Sequence, residues 1–136
     1  MRTLIAFLLV LSTLSCGQPT LDDSQLLQGY WEIETVRFPD GTEKEYSLNT
    51  TIDFIELDGQ QGSRSKVQPQ LDGSYQSTPT VEQFTLAEMD SGLQLQYRTP
   101  YDSWEETVIH LSEDQLVIVN KDGVEYTYKR YVPLSL

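Results

Sequence analysis

From Tyr30 onward the chain runs in short alternations of apolar and polar residues, and no stretch keeps a helical period. Leu93, Leu95 and Tyr97 share one side of a run whose other side carries Gln94, Gln96 and Arg98. Val124, Tyr126 and Tyr128 repeat the pattern against Glu125, Thr127 and Lys129. The spacing predicts strands over residues 30–38, 51–57, 81–88, 93–99, 104–111, 115–120 and 124–131, with weaker ones over 43–46, 64–68 and 74–77. Between them stand Pro39-Asp40-Gly41, Asp58-Gly59, Asp90-Ser91-Gly92, Glu113-Asp114 and Lys121-Asp122-Gly123. Aspartate and glycine suit tight hairpins, so neighbouring strands are expected to pair antiparallel. About eight to ten strands in sequence order make an up-and-down meander, and closing it into a single antiparallel β-barrel removes the exposed edges.

The N-terminus follows another grammar. Met1-Arg2 precedes an apolar core from Leu4 to Leu14, then the small Ser15 and the single cysteine, Cys16. This resembles a bacterial lipoprotein signal peptide, in which cleavage before the cysteine frees a residue that is diacylated. The run is too short for a membrane span, which needs roughly 20 apolar residues. A lone cysteine has no disulfide partner, and lipidation gives it a purpose. The expected organisation is a signal over 1–15, a lipidated Cys16 with a flexible tether over 16–25, and a barrel domain over 26–136. Residues 17–24 are small, polar and proline-containing, so they are expected to remain a tether. Gly17 in place of an aspartate resembles sorting to the outer membrane. Asp22-Asp23 resemble the acidic stretch of surface-exposed lipoproteins, which leaves the periplasmic face and the cell surface both open.

Charge narrows the partners. The 136 residues carry 9 Lys plus Arg against 21 Asp plus Glu, a formal net charge of −12. Such a surface repels phosphate backbones, which argues against nucleic acid.

The segment Leu26-Leu27-Gln28-Gly29-Tyr30-Trp31 places Gly-x-Trp at the start of the first strand. It resembles the opening of lipocalins and of lipocalin-like lipoproteins of Bacteroidetes. The resemblance implies a barrel closed at one end by Trp31, with Arg130 lying across the indole as a cation–π partner and Gly29 part of the same motif. These three residues are implied to be structural, and a barrel does not dictate its cargo.

Catalytic chemistry finds little support. His110 is the only histidine, which leaves no His/Cys metal cluster and makes a serine–histidine relay implausible. Ser63-Arg64-Ser65-Lys66 matches Ser-x-x-Lys, but in a strand the first and fourth positions face opposite ways. Glu105 and Glu106 diverge for the same reason, whereas Glu43 and Glu45 share a face without marking a cleft. Asp58, Asp72, Asp90 and Asp122 are accounted for by turns, with no calcium-loop spacing. Neither an enzyme, a metal nor a cofactor is expected.

Aromatic content carries the functional expectation. Eight tyrosines, two tryptophans and four phenylalanines exceed what a small barrel needs to fill its centre. Phe54, Phe84, Tyr97, Trp104, Tyr126 and Tyr128 are the candidates for the interior or its mouth. Arg64 and Lys66 share a strand face and are candidates to meet an anionic headgroup. The expected function is a membrane-anchored carrier of a small apolar or amphiphilic ligand in the cell envelope. The alternative is a protein-interaction or inhibitor module of the envelope with a filled barrel.

Overall fold

The computed structural model describes residues 17–133, so the signal segment and Cys16 lie outside the described residues. Nine strands form one antiparallel sheet: β1 (Gly29–Arg37), β2 (Glu43–Glu45), β3 (Ile52–Asp58), β4 (Gln61–Pro69), β5 (Tyr75–Met89), β6 (Gly92–Arg98), β7 (Ser103–Leu111), β8 (Gln115–Asn120) and β9 (Glu125–Arg130). β1 and β9 pair from Trp31↔Arg130 to Arg37↔Glu125, which closes the sheet into a barrel. The short β2 lies outside the ring. It pairs only with the far end of β1, and β3 takes over that edge at Gly29–Trp31.

Every expected strand is present, and two of them merge. The runs over 74–77 and 81–88 are continuous in β5, across Pro79. The partner strand makes this possible. The β4–β5 register shifts between Ser65 and Val67, so residues around Pro79 escape regular ladder pairing.

The tether expectation is corrected over its second half. Leu21–Leu27 forms a 3-10 helix, with Thr20 and Asp23 bonded reciprocally at its start. Ser24 and Leu27 are buried and Leu21 packs against the core. The composition of residues 17–24 misleads because Leu21 and Leu27 act together, and the barrel end supplies the apolar surface that the segment lacks.

That end is plugged. Trp31 is fully buried, and its indole N–H donates to the Leu27 carbonyl at 2.8 Å. The Arg130 guanidinium stacks 3.8 Å from the indole centroid and donates to the carbonyls of Leu26, Gln28 and Glu113 at 2.7–2.8 Å. Gly29 holds φ at +130°, and a Cβ there would stand 2.7 Å from Arg130 Nη1, so glycine answers both the backbone and the approaching cation. Above this plug Ile55, Phe84, Leu86, Leu93, Leu95, Val108, Leu116 and Ile118 pack the lower barrel. Phe84 fills the space beside Gly62, where a Cβ would collide with its ring.

Candidate functional site

The opposite end of the barrel is a cup. Inward positions there come from the middle of β4 and β5, the start of β7 and β9 and the end of β8, and they enclose about 350 Å³. Arg64, Lys66, Glu82, Trp104, Glu106, Asn120, Tyr126 and Tyr128 line it, with Thr80 at the rim.

Its floor is an ion cluster. Asp53 alternates with Ile55 onto the inward face of β3 and is 2% exposed. Arg64 Nε and Nη2 donate to Asp53 Oδ2 at 3.1 and 2.6 Å, and Lys66 Nζ donates to Asp53 Oδ1. The same guanidinium donates to Tyr97 Oη at 3.1 Å and to Tyr128 Oη at 2.7 Å, and Glu106 lies 3.6 Å from Nη1. A buried arginine surrounded by acceptors is tolerable, whereas an unpaired one is not.

The carboxyls respond in opposite directions. Burial pushes Asp53 up, but Arg64 and Lys66 together outweigh it, and the group sits below the usual carboxylate range. Burial raises Glu106. Arg64 opposes the rise, Glu82 and Asp53 add to it, and the net position is above the ordinary value. Burial also lifts the Tyr128 hydroxyl to about 12, against the pull of Arg64.

Most of the expected binding residues converge here. Trp104 stacks on Tyr97 with centroids 5.1 Å apart and 5° between planes, and Tyr126 completes an aromatic wall. Phe84 lies deeper, edge-tilted against Tyr97 at 5.4 Å, as part of the core. Phe54 is elsewhere. It faces outward between inward Asp53 and Ile55, stacking on Tyr30 at 4.6 Å, and Tyr30 in turn stacks on Tyr75 at 4.0 Å. An aromatic side chain in a strand does not reveal its face, and the polar neighbour Asp53 is what turns inward. Arg64 is also recast, from a headgroup anchor to the centre of an internal ion cluster.

Sequence reasoning missed Asp53, Glu82 and Asn120 and gave Glu106 no role at the site. The signal was present for Asp53, which shares the parity of Ile55 and Leu57 and is therefore a charge in the inward register. Asn120 Oδ1 accepts from the amides of Asp122 and Val124 at 3.0 Å each, so it also shapes the β8–β9 turn at the rim. Ser63 and Lys66 fall on opposite faces of β4, and His110 is exposed. Among the described residues no group of His, Cys, Asp and Glu is placed to hold a metal ion.

A closed antiparallel barrel with one plugged end and one open cup is an architecture suited to holding one small molecule. The chain belongs to the lipocalin-like domain family, whose sequence profile matches residues 27–118. Among solved structures it is similar to a lipocalin-like protein from Bacteroides uniformis, at 13% identity and a TM-score of 0.49 over 78% of this chain and 99% of that one. An uncharacterized protein from Bacteroides eggerthii is similar at 11% identity and a TM-score of 0.49, over 77% and 99% of the two chains. Lobster apocrustacyanin A1 is similar at 12% identity and a TM-score of 0.47, over 84% and 66%. No curated protein matches the chain.

Proposed function

We propose that this chain is a lipid-anchored, non-enzymatic envelope protein that holds a small amphiphilic molecule in the open cup of its barrel. The observation that carries the reading is the cup itself: about 350 Å³, with the Trp104 and Tyr126 wall on one side and charged groups on the other. Such a lining suits a ligand with an apolar body and a polar head. The lower barrel is filled by side chains, so the expected cargo is a compact amphiphile rather than a long acyl chain.

The anchor rests on the sequence around Cys16. Gly17, the first described residue, leads into the helix that plugs the closed end. A lipid at Cys16 would therefore hold that end toward an outer-membrane leaflet and leave the cup facing away. Cys16→Ser is expected to move the protein from the membrane pellet to the soluble fraction and to abolish palmitate labelling. A variant that stays pelleted and labelled contradicts the anchor.

For the cup, the neutral dye phenylnaphthylamine is expected to bind and to take up excitation energy from Trp104. Trp104→Phe should lower that transfer, leaving only the share from the more distant Trp31. A second reading, an envelope interaction module, draws on the exposed Leu48, Leu71 and Tyr101. It predicts no dye binding at all.

A further inference from the structure

The cup carries both signs of charge, but its cations are already engaged within the protein. All three nitrogens of Arg64 face acceptors: Nε and Nη2 meet Asp53, Nη2 also meets Tyr128, and Nη1 meets Tyr97 with Glu106 beyond it. Lys66 is drawn onto the other oxygen of Asp53. One buried carboxylate thus occupies two cations. The carboxylates are less well served. Glu106 has one ion pair, to the edge of Arg64 at 3.6 Å, beside the Tyr97 hydroxyl, and Glu82, opposite Arg64 in the β4–β5 register, makes no ion pair among the described residues. The lining itself is balanced, Arg64 and Lys66 against Glu82 and Glu106, but the buried Asp53 beneath it already holds both cations and leaves the two glutamates as the groups still to be matched.

The aromatic wall favours the same sign. Tyr97 covers one face of the Trp104 indole, and the residue borders the cavity with its remaining surface, beside Tyr126. The face of an indole attracts a cation, more so where water is partly excluded. An anion would have to share Lys66 with Asp53 and lie against two glutamates.

We propose that the ligand of the cup is a small organic cation, a protonated amine with a compact apolar body. Its ammonium sits between Glu106 and Glu82 and its body lies on Trp104. This rests on the reading of the cup as a ligand site. Burial and the nearby Glu82 hold Glu106 above its ordinary range, Arg64 opposing, so a cation placed between the two glutamates offsets their repulsion.

The test uses three probes that share one body and differ in the head: phenylpropylamine, phenylpropanol and phenylpropionate. Each is titrated calorimetrically into the full chain in nonionic detergent at neutral pH. The amine is expected to bind about tenfold or more tighter than the alcohol, with the carboxylate weakest, the size of a charge-assisted contact. Glu106→Gln and, independently, Glu82→Gln should each bring the amine to within about threefold of the alcohol. Glu82 accepts none of the Arg64 hydrogen bonds, so its variant guards against a folding defect in the first. An amine no tighter than the alcohol, a carboxylate that binds best, or an amine preference unchanged in both variants overturns the cation assignment. In each of those cases binding of the neutral alcohol leaves the cup standing as a ligand site. Binding of none of the three, together with a negative dye result, overturns both.

Discussion

Each end of this barrel is organised by an arginine over an aromatic ring, and the two arginines do different work. At the closed end Arg130 stacks 3.8 Å from Trp31 and gives its hydrogen bonds to backbone carbonyls. At the open end Arg64 lies 5.3 Å from the Tyr128 ring and gives its bonds to side chains: a carboxylate and two tyrosines. Backbone acceptors have fixed positions and no titration, so the first arrangement is a lock. Side-chain acceptors respond to substitution, pH or a ligand, so the second arrangement couples the fold to whatever occupies the cup.

Trp31→Ala breaks the lock, with an expected loss of about 3 to 5 kcal/mol from a total stability of about 5 to 15 kcal/mol. Urea denaturation measures it, and an unchanged midpoint would mean that the plug is not structural. Asp53→Asn tests the other end. It leaves Arg64 buried beside a neutral amide, and removing one partner of a buried pair costs about 3 to 5 kcal/mol.

The pH dependence separates the cup's own carboxyls. Asp53 is depressed in the folded state, so its contribution is present above the unfolded carboxyl value of about 3.9 and is lost as pH falls through its lower folded value. Glu106 is raised, so its ionisation at neutral pH opposes folding, and that penalty disappears as pH falls through the raised value. Glu106→Gln is therefore expected to leave the neutral-pH midpoint unchanged or higher. A midpoint as low as that of Asp53→Asn would show that Glu106 belongs to the structural cluster. Arg130→Lys keeps the charge but loses the planar stack and the fork of donors, with an expected cost of about 1.5 to 3 kcal/mol.

The two ends were also unequally legible in the sequence. The lock could be read, because Gly-x-Trp opens a strand and Arg130 finishes one, and the period-two alternation places the strands between them. The helix at Leu21–Leu27 was not legible from its polar composition, since its burial depends on a barrel end formed by residues far along the chain. At the cup, Trp104, Tyr126 and Tyr128 were found through their chemistry, whereas Phe54 shows that aromatic identity alone does not assign a face. Asp53 lies inside an expected strand, and its inward charge has meaning only through partners on β4. Its partnership with Arg64 spans 11 residues of sequence and that of Arg64 with Tyr128 spans 64, and no local pattern links them.

The central claim, that the open cup is the ligand site, is tested most directly by native mass spectrometry of the chain purified from its own membranes. Thr80 is exposed at the rim of the cup, and Thr80→Trp should fill the opening without touching the plug or the ion cluster. The account predicts that the wild-type chain carries a small organic adduct and that Thr80→Trp, equally stable to denaturant, loses it. An adduct retained in full by the blocked variant would contradict the assignment, and so would a bare wild-type chain that takes up none of the titrated probes.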